Sequence, residues 1–252
     1  MNDSFERGKV LHCVQDDKRI ISTIPPIRFA MCGRYSFITP APAAEQRFDA
    51  KFTEPTPPNY NAAPSQRLPI ITNAAPGQIQ LLRWGLVPAW SRDPTGGPKP
   101  INARAETLAD KPSFRILLGR RRCLVLADGF YEWQATPAGK VPHRILLRDE
   151  QPFAFAGLWD EWVDRATGEL HPTFTIITTE PNELMASIHN RMPVILPTRA
   201  AEAAWLDDSL KLRDHQELLL PYETAAMREY VVSTRVNSPA NNDAEVLLPA
   251  IG

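Results

Sequence analysis

RCLVLADGFYEWQATPAGKVPHRILLRDEQPFAFAGLWDEWVDRATGELHPTFTIITT, residues 122–179, holds many of the strand-forming segments of this chain. Four of its segments, Arg122–Ala127, His143–Arg148, Phe153–Leu158 and Phe174–Thr179, are rich in Val, Ile, Leu and Phe, the pattern of short strands. On the N-terminal side, Leu68–Thr72 and Ile79–Val87 are strand-like around a turn at Ala74–Gly77. Before them Pro40–Phe48 suits a short helix and Thr53–Pro58 a loop, and after them Ser91–Pro100 is a long loop. On the C-terminal side, Pro181 opens a short helical stretch through Ile188, followed by a strand stub at Val194–Leu196. Thr198 suits the N-cap of a helix Arg199–Leu206; Lys211–Leu220 is another helix and Tyr230–Ser233 a last strand before a polar tail, Asn237–Asp243. Many short strands with helices concentrated late predict an α+β fold: a single domain with a curled or barrel-like, mostly antiparallel sheet and flanking helices.

Composition agrees with that reading. The 252 residues are 43% hydrophobic, ordinary for a globular chain, and include 25 prolines, roughly twice the usual one-twentieth. So much proline favours short strands and loops over long helices. The three cysteines (Cys13, Cys32, Cys123) are odd in number and widely spaced, which argues against a disulfide framework. The five histidines form no metal-binding spacing, so no cofactor is expected. No apolar run reaches the length of a membrane span.

Lys plus Arg total 28 against 29 for Asp plus Glu, which excludes a polycationic chain. The distribution is uneven: Lys99–Arg122 holds seven basic and two acidic residues, and residues 201–230 hold three basic and seven acidic. Two solvated surfaces of opposite sign are the simpler explanation, and a basic face for an anionic polymer is the sharper one.

Five strings gather reactive or stacking residues among glycines and prolines: MCGRY (Met31–Tyr35), WGLVPAW (Trp84–Trp90), INARAET (Ile101–Thr107), DGFYEW (Asp128–Trp133) and HNRMP (His189–Pro193). Singly, each has an ordinary structural explanation, since tryptophans, a lone Cys and a lone His are usually core or satisfied groups. Together, in this order, they resemble the SOS-response-associated peptidase (SRAP) family. The resemblance runs from Met31 to roughly Pro197, with residues 198–252 fitting a variable tail.

That resemblance implies an abasic-site processing protein that binds single-stranded DNA and joins covalently to abasic sites through an N-terminal cysteine, which here is Cys32 after loss of Met31. The family's other functional positions fall on Asn102, Glu132 and His189, and its DNA contacts on Arg34, Trp90, Arg104, Trp133 and Arg191. A basic residue that some members carry after the INAR string is not clearly matched, since Lys111-Pro112 stands near there.

Elementary chemistry runs the same way. An opened abasic sugar carries an aldehyde, and an N-terminal cysteine offers an amine and a thiol on adjacent carbons, able to form an imine and then a thiazolidine. An α-amine, with a pKa of about 7.7–8.0, is far more often neutral at pH 7 than a lysine at about 10.4. Glu132, among Phe130, Tyr131 and Trp133, suits a proton carrier. His189 suits charge stabilisation at the sugar or phosphate, and Asn102 a neutral hydrogen bond. The three arginines match phosphate and the two tryptophans suit base stacking.

Residues 1–30 lack the apolar core of a secretion signal. While they stay attached, the nitrogen of Cys32 is an amide and no thiazolidine can form. They are expected to be an extension outside the functional chain, either a mis-assigned start before Met31 or a segment that is removed, with 31–252 as the domain. Two other activities use the same residues: an autoprocessing cysteine peptidase with Cys32 as nucleophile and His189 as base, and a non-catalytic single-stranded DNA damage-binding module. A glutamine amidotransferase is disfavoured because Arg34-Tyr35 follows Met-Cys-Gly. The expected partner is single-stranded DNA containing abasic sites, with no membrane, for a monomer in the cytoplasm, at the nucleoid if bacterial.

Overall fold

The computed structural model describes residues 33–93, 97 and 99–250. Cys32, Cys13 and the expected 1–30 extension lie outside the described residues.

In chain order the first half runs β1 (Tyr35–Phe37), α1 (Ala41–Phe48), β2 (Lys51–Phe52), β3 (Asn59–Ala62), β4 (Arg67–Thr72), β5 (Gln78–Trp84), β6 (Asn102–Arg104) and α2 (Pro112–Arg120). It continues with β7 (Arg122–Ala127), β8 (Gly129–Thr136), β9 (Gly139–Leu147), β10 (Phe153–Val163) and β11 (Leu170–Thr179). The last part holds α3 (Glu183–Ala186), β12 (Met192–Pro193), α4 (Arg199–Leu206), α5 (Leu212–Glu217) and β13 (Met227–Val231).

Every residue of β7 is buried, as is β10 from Phe153 to Asp160. Strands apolar on both faces must be covered on both, and these lie in a closed barrel wrapped by helices. The ring runs β11-β10-β7-β4-β5, antiparallel throughout, and closes where β5 returns alongside β11 in parallel, Arg83 against Thr173 and Trp84 against Phe174. Gly157 lies mid-barrel because a Cβ there would come within 2.8 Å of the Cys123 sulfur and 3.0 Å of the Thr175 carbonyl. On the outside, α4 seats Trp205 against β7, its indole N–H donating to the Cys123 carbonyl at 3.0 Å.

The second sheet, ordered β13-β9-β8-β1-β3, continues from the barrel through Asp128, between β7 and β8. That carboxylate accepts from the Ser36 hydroxyl at 2.7 Å and the Thr39 N–H at 3.1 Å, tying β1 to the β7–β8 corner. Phe130 and Ile145, opposite one another on β8 and β9, join the core with Phe155, Tyr35 and Trp84.

The expected α+β class, antiparallel bias and barrel are present, and the differences are local. The string DGFYEW opens a long strand, β8, and β9 begins at Gly139, so a hairpin occupies the segment before His143. Asn182 caps α3, its side chain accepting from the Met185 N–H at 2.9 Å, so the helix starts after Pro181. The second late helix is shorter than expected, Leu212–Glu217, and the last strand starts earlier, at Met227. Residues 237–243 are no loose tail: Asn61 donates to the carbonyls of Val236, Ser238 and Asn241 and straps this segment across the second sheet.

Candidate active site

Midway along β8 the core gives way to a cavity of about 540 Å³, lined by Gly33, Arg34, Pro64, Ile101, Glu132, Trp133, Lys140, His189 and Asn237. Alternation along β8 explains its reactive wall. Phe130 and Glu132 share a face; Phe130 is core, and two residues on the same face leaves the apolar interior and presents a carboxylate, 3% exposed, at the cavity wall.

Trp133 sits at the rim, its indole N–H donating to Asn237 Oδ1 at 2.7 Å. Arg34 precedes β1 and spends its fork on the protein: it donates to Asn61 Oδ1 at 2.8 Å and to the carbonyls of Val236 at 2.7 Å and Asn237 at 3.0 Å. Burial lowers its pKa from the usual arginine value, but guanidinium stays charged through any ordinary pH. Arg34 therefore brings positive charge to the cavity while clamping the strap that carries Asn237.

His189 follows α3, its N–H donating to the Met185 carbonyl at 2.8 Å. Its Nδ1 accepts the Arg191 backbone N–H at 3.2 Å. An N–H can only donate, so the neutral ring carries its proton on Nε2. Arg191 reaches away, donating to both Glu106 carboxylate oxygens at 2.7 and 2.9 Å and to the Thr178 carbonyl at 2.7 Å. That bidentate hydrogen bond holds the Glu106 carboxyl below its ordinary pKa. Arg191 thus fixes the segment that orients His189.

Asn102 lies on β6, opposite Ile176 of β11, directly after the cavity-lining Ile101. Arg104 ends the same strand, exposed, opposite Thr178. Trp90 is apart from the cavity walls and 72% exposed. Its loop is held by the Ala89 N–H donating to Asp160 at 2.8 Å and Trp162 Nε1 donating to the Ser91 carbonyl at 2.8 Å.

Arg34, Glu132, Trp133 and His189 thus line one cavity, with Asn102 beside it, while Trp90, Arg104 and Arg191 lie outside its lining. Of the seven basic residues counted over Lys99–Arg122, Arg122 is fully buried and contributes to no surface, and Arg121 stacks on Trp159 at 4.3 Å, while Lys99, Arg104, Lys111, Arg115 and Arg120 are exposed. Pro64, Lys140 and Asn237 were not read from the sequence as site residues. Asn237 carried a signal in its place between Val236, an apolar residue, and a turn-rich run, although polarity alone suggests a tail.

The comparisons with known proteins agree on one family. The family model described as SOS response associated peptidase (SRAP) matches residues 31–239. Abasic site processing protein YoaM of Bacillus subtilis (strain 168) is 46% identical over 223 residues, 86% of this chain and 97% of that protein. Abasic site processing protein HMCES of Gallus gallus is 35% identical over 224 residues, 76% of this chain and 66% of that protein. An X-ray structure of a protein from Bacteroides thetaiotaomicron superposes with a TM-score of 0.81 at 34% identity, covering 87% of this chain and 100% of that one.

Proposed function

Because this chain belongs to the SOS response associated peptidase (SRAP) family, we propose that it processes abasic sites by binding single-stranded DNA and joining the opened sugar covalently to Cys32. One observation carries the reading: Glu132, His189 and Arg34 line the same cavity as Gly33, the residue next to Cys32 in the chain.

The chemistry balances as follows. The free α-amine of Cys32 adds to the sugar aldehyde, and the carbinolamine loses its hydroxyl as water to give an imine. The Cys32 sulfur then adds to the imine carbon, its proton passing to nitrogen, and a five-membered thiazolidine closes with net loss of one water. Glu132 is the proton carrier for water loss, a role suited to a carboxyl set between apolar core and cavity. His189, protonated on Nε2 when neutral, donates to the sugar or phosphate oxygen, and Asn102 supplies a neutral hydrogen bond at the neighbouring wall. The amine exists only once Met31 and everything before it are gone.

DNA contacts divide by what each side chain has left to give. Arg104 and Trp90 are exposed and meet the strand directly, one at phosphate and one by stacking. Arg34 and Arg191, with forks largely engaged, supply charge and hold the walls in place. A lesion without a base offers no edge to read, so binding is independent of sequence and weakens steeply with salt.

The test is a Cys32→Ala variant with abasic single-stranded DNA. Loss of the denaturation-resistant adduct, with DNA binding before denaturation retained, is the expected result. An undiminished adduct would overturn the covalent role of Cys32. Release of intact and abasic DNA alike from the native protein by a high-salt wash would identify a non-covalent damage-binding module instead.

A further inference from the structure

Glu132 has an unexplained neighbour. In the β8–β9 register it stands directly opposite His143, two pairs beyond the core pair Phe130 and Ile145 and on the same face. Residues directly opposed across an antiparallel pair project from the same face with Cβ atoms about 4.5–5.5 Å apart. His143 is therefore the side chain beside Glu132, and it is 7% exposed.

On its other side His143 is fixed. Its Nδ1 lies 2.6 Å from Oε2 of Glu229. Glu229 reaches it diagonally, because Val231 is the β13 residue opposite His143 and Glu229 is opposite Ile145. A carboxylate can only accept, so Nδ1 carries the proton and Nε2 of the neutral ring is a lone pair. That Nε2 is buried and has no hydrogen-bond partner among the described residues. A buried nitrogen without a partner is costly. The two histidines near Glu132 are thus set in opposite tautomers: His189 presents a donor, His143 an acceptor.

We propose that His143, held by Glu229, is a positioning residue for Glu132 that takes and returns its proton. The inference rests on the assignment of Glu132 as proton carrier. In the forward step protonated Glu132 turns onto His143 Nε2, which it does not hydrogen-bond in this structure; its O–H bond breaks as an N–H bond forms there, and the imidazolium is balanced by the Glu229 carboxylate. In the return step that proton goes back to Glu132, which passes it to the carbinolamine hydroxyl leaving as water. Other charged groups near this chain of side chains are few. Lys140 lies at the start of β9, His189 at the cavity and Arg34 before β1, while Arg235, on the turn at Thr234–Asn237, is turned to Asp243 and Glu245. Arg144, the next residue on β9, belongs to the other face, where it meets Tyr230 and Asp128.

The experiment measures the rate of adduct formation on an abasic single-stranded oligonucleotide from about pH 5.5 to about 8.5. It compares the native chain with His143→Gln, Glu229→Gln, Glu132→Gln and the double variant Glu132→Gln/His143→Gln. His143→Gln is expected to slow the adduct about tenfold and alter one limb of the pH profile, leaving affinity for undamaged strand unchanged. In the Glu132→Gln background it should cost nothing further, since it acts through Glu132. A superimposable profile, or losses that multiply in the double variant, would overturn the proposal. Should His143→Gln fail to fold, Glu229→Gln, which keeps a hydrogen-bonding group at Nδ1, is expected to change the same limb, and an unchanged limb would count against it.

If the native chain forms no adduct at all, the proposed function fails, and the pairing is judged by NMR. The His143 ring resonances should shift on Glu132→Gln if the two side chains are neighbours across the pair. Unmoved resonances would overturn the pairing.

Discussion

Two buried polar clusters in this molecule are built to opposite rules. Around Arg122, fully buried, Nε donates to the Trp205 carbonyl at 2.7 Å, and the terminal nitrogens reach the Leu118 and Asp207 carbonyls and Asp208. That cluster bolts the segment from α4 to α5 onto the barrel, and all three nitrogens have partners. Around Glu132 the arrangement differs: His189, which lines the same cavity, offers a donor, and His143, outside that lining, holds a buried acceptor with no partner among the described residues. A saturated cluster fixes a fold, whereas one with capacity left over can handle a proton.

Substitution in the two clusters should have opposite consequences. Arg122→Met should lower stability by about 3 kcal/mol, because it leaves buried carbonyls without donors. Chemical denaturation checks this, with adduct formation per folded molecule expected to stay at the native rate. Glu132→Gln should do the reverse, slowing the adduct about a hundredfold while the denaturation midpoint barely moves. A Glu132→Gln protein that is chiefly unstable would erase the distinction.

The same contrast explains what could be read from the chain. The barrel was legible because β7 and β10 are unbroken apolar runs that must be buried, and Thr198 is the helix cap it resembles, accepting from the Ala201 N–H at 3.1 Å. β8 was hidden because Gly129–Thr136 mixes aromatic and polar residues. Its alternation has meaning only once one face is known to be core. WGLVPAW shows the limit within a single string. Trp84 is core and donates to the Ile101 carbonyl at 2.9 Å, while Trp90, six residues on, is on the surface. Gly85, at φ 122°, turns the chain between them, a conformation an L side chain rarely adopts. Arg122 was counted with a basic surface because charge in a sequence carries no record of burial. Asn237 and His143 were missed because their meaning lies in register and contacts across the sheet.

Smaller effects separate the cavity from the proposed strand-binding surface. Trp90→Ala should weaken binding to single-stranded DNA about tenfold without changing the adduct rate at saturating DNA, as measured by fluorescence anisotropy and by quenched time courses. A changed saturated rate would place Trp90 in the chemistry. Smallest is the pH response of the bolted region. His215 is buried against Trp205, and burial, with Arg122 nearby, lowers its pKa from the ordinary histidine value. The unfolded chain then binds the proton more readily, so stability is fully present above about pH 6.5 and declines as pH falls below it. His215→Gln should flatten that decline in denaturation curves, leaving the residual slope to other groups.

If a free Cys32 aminothiol traps the abasic aldehyde beside Glu132, the intact mass of the protein must show it. The native protein is weighed alone and after incubation with abasic single-stranded DNA. The account requires a chain beginning at Cys32 that gains one DNA strand less one water. A chain that begins at Cys32 and gains no mass from the abasic strand would contradict it.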